Sequence, residues 1–176
     1  MKLTDFLIAD EEPESRFNSK RKGNANERKL AHILSKWTGK KFVRVPQSGG
    51  LEWFKGSYGS GDIICADLEF NKRFNFNIET KHYRNFEIKP ELRKNSRIIK
   101  WFAQSERDAM QSGKNKIPLL IVRYNYHDYI LFCKKRLSKL SYICKYDEDI
   151  FGYLLKDIIN KYSVNEFIKD FKYEKD

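Results

Sequence analysis

The segment "FNFNIETK", residues 74–81, alternates with a period of two along its whole length. In extended chain, alternate side chains share a face. Phe74, Phe76, Ile78 and Thr80 therefore line one side of a strand, and Asn75, Asn77, Glu79 and Lys81 the other. The strand period alone makes Glu79 and Lys81 neighbours on a polar face. Asp62 opens the strand predicted just before it, directly after a glycine-rich loop where backbone and ligand can approach closely. Two carboxylates and an ammonium on one hairpin are either three solvated charges or a metal site with a lysine beside it.

The remaining elements place this hairpin in a larger layout. "NANERKLAHILSKWTGK" predicts a helix, with Leu30, Ile33, Leu34 and Trp37 on one stripe and Gly39 where a C-cap belongs. "KFVRVPQ" reads as a short strand that Pro46 ends or confines to an edge. Residues 48–61 hold five of the nine glycines and mark a long loop. Strands over 62–68 and 74–82 follow, joined through "NKR". A helix from about Glu91 to Ser112 carries Ile98, Trp101, Phe102 and Ala109 on one face. "LLIVRYNY" and "DYILFCKK" predict a further hairpin, and "IFGYLLKDIINKY" with "VNEFIKDF" an amphipathic helical tail. The expected fold class is α/β, a central mixed sheet flanked by helices. Its expected parts are a flexible basic arm (1–22), a core (23–134) and a helical C-terminal extension of the same domain (135–176).

The 176 residues suffice for one domain with a proper core. A formal net charge of +11 points to a polyanionic partner, nucleic acid first, against the plainer reading of a generally basic protein. Cys65, Cys133 and Cys144 form no Cys-x-x-Cys pair, and the first two lie in apolar runs. That pattern predicts buried thiols, no disulfide or zinc framework, and a reducing compartment. No segment is apolar enough to span a bilayer and the start lacks a signal-peptide stretch, so the expectation is a cytoplasmic protein with no membrane partner.

Glu27 extends the stripe of the first helix by one turn. A carboxylate there is costly unless paired or bound to metal. Asn24-x-x-Glu27 also fits a capping box with Asn24 as N-cap, and the two roles are compatible. Glu27, Asp62 and Glu79 around one point would select a hard cation, Mg²⁺ or Mn²⁺. Such an ion activates water and polarises a phosphoryl oxygen, while Lys81 orients the water and stabilises developing charge. With a basic surface around it, the chemistry that fits is phosphodiester hydrolysis.

"GD" followed after a hairpin by "ETK", with a Glu on the preceding helix, resembles the PD-(D/E)XK nuclease superfamily. Asp62 matches its first acid, Glu79 and Lys81 its (D/E)-x-K element and Glu27 its helix acid; Gly61 stands where the pattern has proline. "KGNANERKLAHILSKWTGKKFVRVPQSGG" further resembles the amino-terminal half of archaeal-type and phage Holliday junction resolvases, with their Lys-Gly element, "ER" helix and R-x-P-x-S-G loop. The likeness covers residues 20 to about 82 well and "WFAQSERDAMQSGKNKIPLLIVRY" loosely, and leaves the tail after about 135 unmatched.

The resemblance implies a restriction-endonuclease-like core and a Mg²⁺-dependent endonuclease cutting four-way or otherwise branched DNA as a homodimer. Metal would sit at Asp62, Glu79 and Glu27, with Lys81 as the fourth catalytic residue. A nuclease of ordinary duplex, of restriction, repair or transposition type, is the alternative within enzymes. A non-catalytic DNA-binding module is another, against which the intact Glu79/Lys81 pair argues. Ser48 matches the resolvase serine near the scissile phosphate, although Ser-Gly-Gly is also turn chemistry. Lys20, Arg21, Lys22, Arg44 and Lys55 are expected phosphate contacts or solvated charges. Trp53, Phe54 and Tyr58 either reach DNA or fold back on the core. Gln104 lies where related nucleases carry a helper polar residue, or is an exposed helical glutamine.

Overall fold

Strand β3 (Phe76–Tyr83) runs through a seven-stranded sheet of order β1-β2-β3-β4-β5-β7-β6. The computed structural model describes residues 16–45, 61–83, 97–111 and 116–172. The other strands are β1 (Phe42–Arg44), β2 (Ile63–Cys65), β4 (Ile117–Tyr124), β5 (Tyr129–Cys133), β6 (Cys144–Tyr146) and β7 (Ile150–Leu154). β3 and β4 pair in parallel from Phe76↔Ile117 to Tyr83↔Tyr124, and every other pairing among the described residues is antiparallel. A parallel pair needs a crossover, and α3 (Arg97–Gln111) lies on it. The architecture is α/β, a mixed sheet flanked by helices, as the alternating pattern predicted.

Both faces of the central strands are covered. On one, Leu30 and Leu34 of α1 (Arg16–Thr38) meet Phe76, Ile78, Leu119, Ile121 and Leu131. Phe167 of α5 (Val164–Asp170) closes this layer, touching the rings of Trp37, Phe76, Tyr162 and Phe171. On the other, Ile98 and Phe102 of α3 pack on Leu120, Val122, Ile130 and Phe132. Cys65 and Cys133 are buried free thiols, as expected of their apolar runs, and burial pushes the Cys133 thiol up to about 12. Among the described residues no helix is long and apolar enough to cross a membrane.

Three local expectations are corrected. Residues 68–73, taken as the end of one strand and a hairpin link, form α2 (Leu68–Arg73). The Asp67 carboxylate caps it by accepting the Phe70 N–H at 2.9 Å, satisfying a donor that a helix start leaves open. Residues 16–22, expected as a loose arm, belong to α1, so Asn24 is an interior residue and no N-cap. No proline interrupts this Lys/Arg-rich stretch, and Gly23 weakens a helix without ending it. The tail is helical only from α4 (Leu155–Lys161) onward, since Ile150–Leu154 is a strand between β5 and β6. A short apolar run carries no period that separates strand from buried helix; here β5 offered an unpaired edge. Gly152 marks the pairing: a Cβ there would meet Cys144 Sγ at 2.5 Å and Phe132 Cε1 at 2.8 Å. The expected start of α3 at 91–96 lies outside the described residues.

Phe167→Ala should cost about 3–5 kcal/mol, the range for removing a fully buried aromatic ring. A urea unfolding titration checks this, and a loss under about 1 kcal/mol would mean that α5 does not close the core.

Candidate active site

Period-two alternation places Asn77, Glu79 and Lys81 on the α3 side of β3. Asn77 Nδ2 donates to the Ser105 carbonyl of α3 at 3.2 Å, and Gln104 Nε2 approaches Glu79 Oε1 at 3.4 Å. Glu79 is only 4% exposed. A carboxylate so buried requires compensation. It comes from Lys81, whose Nζ lies 2.7 Å from the same Oε1, so both donors converge on one oxygen and Oε2 takes no part in either bond.

Asp62 arrives from the neighbouring segment. Its backbone is held on both sides: its N–H donates to Ile78 O at 2.8 Å, and its carbonyl accepts the Val45 N–H at 2.8 Å. β2 meets β3 at Ile63↔Ile78, and the Thr80 N–H farther along donates to Asp62 Oδ2 at 2.9 Å. The carboxyl is thereby aimed along β3 toward Glu79. Burial first, then the charges of Glu79 and Glu27, push Asp62 up to about 7, against the lowering effects of the Thr80 N–H and of Lys81. Two carboxylates that resist sharing negative charge are a donor set suited to a hard divalent cation.

On the opposite face of β3, a buried polar chain sets α1 against this strand. Tyr129 Oη donates to Asn26 Oδ1 (3.0 Å), Asn26 Nδ2 to Thr80 Oγ1 (3.0 Å), and Thr80 Oγ1 to the Ile121 carbonyl (2.8 Å). Asn26 was missed in the sequence, although a polar residue four positions before Leu30 on the apolar stripe was a usable signal. Its neighbour Glu27, also buried, accepts Arg44 Nε at 2.8 Å, while Arg44 Nη2 donates to Asn24 Oδ1 at 2.9 Å. Arg44, expected at a phosphate, thus meets the cost of burying Glu27. The expected three-carboxylate cluster is not preformed: among the described residues no group of three or more His, Cys, Asp or Glu side chains is arranged to hold a metal ion.

Asp62, Glu79, Lys81 and Gln104 come together, and Glu27 stands near enough for its charge to act on Asp62. Lys20, Arg21 and Lys22 are exposed on the early turns of α1. Ser48, Lys55, Trp53, Phe54 and Tyr58 lie outside the described residues.

A family model described as "Phage putative PDDEXK endonuclease" matches residues 18–176. The chain belongs to that family. No curated protein matches it. Among solved structures it is similar to Hjc of Archaeoglobus fulgidus, a Holliday junction resolvase from an archaeal hyperthermophile. The identity is 14% and the TM-score 0.37, over 84% of this chain and 96% of that one.

In this member of the PDDEXK endonuclease family, Gly61 replaces the proline of the general pattern for a conformational reason. Its φ is +98°, whereas a proline ring holds φ near −65°. A Cβ at Gly61 would also meet Ile78 O at 2.6 Å and Asn77 Oδ1 at 2.9 Å. The bare glycine lets Asp62 approach β3 closely enough to make its two bonds there.

The raised pKa of Asp62 has a consequence for stability. A carboxyl whose folded-state pKa exceeds its unfolded value binds its proton more tightly when folded. Its contribution is full below the ordinary aspartate value of 3.8 and is lost as pH rises through about 7. In chelator, Asp62→Asn should therefore be more stable than wild type at pH 8, with the gap closing toward pH 4. Urea titrations across that range check this, and a gap independent of pH would overturn the raised pKa that burial and the neighbouring carboxylates give Asp62.

Proposed function

We propose that this chain is a divalent-metal-dependent DNA endonuclease that cuts branched duplex, four-way junctions above all, as a symmetric homodimer. The observation that carries the nuclease reading is the convergence of Glu79 and Lys81 on one face of β3 with Asp62 directed at them from the start of β2. Asp62 and Glu79 are the residues that hold Mg²⁺ or Mn²⁺. Such an ion, when bound, lowers the pKa of water and offsets negative charge developing on the phosphate.

The chain's own groups supply the rest. Lys81, pinned by Glu79, donates to the attacking water and to the scissile phosphate, where a charge-assisted donor acts most strongly in a partly buried site. Gln104 steadies the Glu79 carboxylate from α3. Glu27 adds negative potential at Asp62 while Arg44 balances its own charge. Lys20, Arg21 and Lys22, exposed within a chain of net charge +11, follow the DNA backbone. The branched substrate is supported by the resolvase-like order of the Lys-Gly element, the "ER" helix and the R-x-P-x-S-G loop. Two matched nicks on opposite strands are what a twofold dimer delivers.

The test is cleavage of a four-way junction beside a linear duplex of the same arms, in Mg²⁺ and in chelator. Wild type should cut the junction faster, and only with metal. Asp62→Asn and Glu79→Gln should lose cleavage while still binding DNA, and Lys81→Ala should lose about a hundredfold or more in rate. A monomer cutting duplex as fast as junction would move the reading to a general duplex nuclease; wild-type rates in the Asp62 or Glu79 variants would remove the site assignment.

A second measurement tests the electrostatic part. A protein neutralising roughly six to ten phosphates loses on the order of a thousandfold or more in affinity between 50 and 200 mM salt. Junction binding in chelator should show that slope, and binding indifferent to salt would argue for a partner other than DNA.

A further inference from the structure

The turn between β4 and β5 presents Tyr126 with its side chain wholly exposed, at 101%. His127 N–H donates to Tyr124 O at 3.1 Å, closing a four-residue turn with Tyr126 in its third position at φ +64°. That place in that conformation suits glycine or asparagine, and a bulky residue there is strained. The ring recovers nothing by burial. Folding therefore gives no reason for a tyrosine here, since it strains the backbone and leaves an aromatic face in water.

The turn is nevertheless held firmly, and against the strand of the candidate site. Asn125 N–H donates to Tyr83 O at 3.1 Å, and Asn125 Oδ1 lies 2.9 Å from His82 Nε2. β4 runs in register beside β3, with Lys81↔Val122 and Tyr83↔Tyr124. The turn thus begins two residues past the level of Lys81, roughly 7 Å along the strand. That is about two base steps at a rise of 3.4 Å per nucleotide. Two guanidiniums sit on rings of the strands that flank it: Arg97 stands 4.2 Å over the Tyr83 ring and Arg123 5.5 Å over Tyr129, while the acidic neighbour Asp128 is paired with Lys156 at 2.6 Å.

We infer that Tyr126 is a substrate contact whose ring stacks on an unpaired nucleobase beside the phosphodiester held at Asp62, Glu79 and Lys81. Every base offers a π-face, so a lone aromatic in a basic setting recognises unstacked nucleic acid whatever its sequence. A regular duplex offers no such face away from its ends, whereas an open branch point does. A rigid turn spares the ordering cost of a mobile one, so strain in the free protein is exchanged for affinity. The inference rests on the nuclease reading and adds to it the recognition of an unpaired base.

The test compares wild type with Tyr126→Phe and Tyr126→Asn on a four-way junction carrying 2-aminopurine at each branch-point position in turn, in chelator. Tyr126→Asn should melt at a higher temperature than wild type, because asparagine tolerates the left-handed turn, yet bind the junction about tenfold more weakly or worse. Tyr126→Phe should keep wild-type affinity and the same perturbation of 2-aminopurine fluorescence, which Tyr126→Asn should lose. Equal binding and fluorescence in wild type and Tyr126→Asn would overturn the stacking role alone. Wild type that neither binds nor cuts DNA would instead overturn the nuclease reading and this inference with it.

Discussion

A glutamate almost fully buried in a strand covered on both faces must have its charge answered within the fold, and the surroundings of Glu79 are organised by that requirement. Its backbone lies between β2 and β4, with α1 on one side and α3 on the other. Lys81 meets the charge from two residues away, the shortest spacing at which a strand brings its own side chains to one face. Gln104 adds a second donor from α3. Asp62, brought against the same face, is left with a carboxyl that holds its proton far longer than an ordinary aspartate. Such pairing of charge with burial is expensive in a core, and it is the pattern that sites built to bind a cation or activate water share.

The supports of Asp62 are backbone contacts more than side-chain ones. Gly61 brings the chain within reach of β3, Ile78 and Val45 hold the Asp62 peptide groups from either side, and Thr80 takes its carboxylate. The Asn26–Thr80–Tyr129 chain then locks α1 to the strand at the residue lying between Glu79 and Lys81. One strand thus carries Glu79 and Lys81 on one face and its anchoring hydroxyl, Thr80, on the other. Displacement of α1 would be felt at the site through Thr80 and through the charge of Glu27 on Asp62.

Much of this was legible in the sequence where the signal is local. The alternation of residues 74–81 needs no knowledge of the rest of the chain, so the shared face of Glu79 and Lys81 was readable at once. The stripe of α1 and the apolar face of α3 were readable for the same reason. Gln104, three residues after Trp101 of the apolar face, was placed on the right helix, but its approach to Glu79 was not derivable. The strand Ile150–Leu154 was read as helix because so short an apolar run fits either period; the free edge of β5 decided between them. Asp67 as a helix cap was missed because "DLEF" beside a strand is equally a strand end.

The sequence by itself determined what is set by spacing along one element: an α/β order, a polar strand face holding a carboxylate and a lysine, a glycine-flanked aspartate, and a strongly basic surface. Tertiary structure decided which charges answer one another. Arg44 went to Glu27 and not to solvent, Asn26 and not Glu27 faced Thr80, and the tail completed the sheet before it turned helical. The division has a physical cause. Periodicity is a property of the chain's own dihedral angles, whereas the pairing of buried polar groups depends on which distant segments the hydrophobic layers bring within about 3 Å of each other.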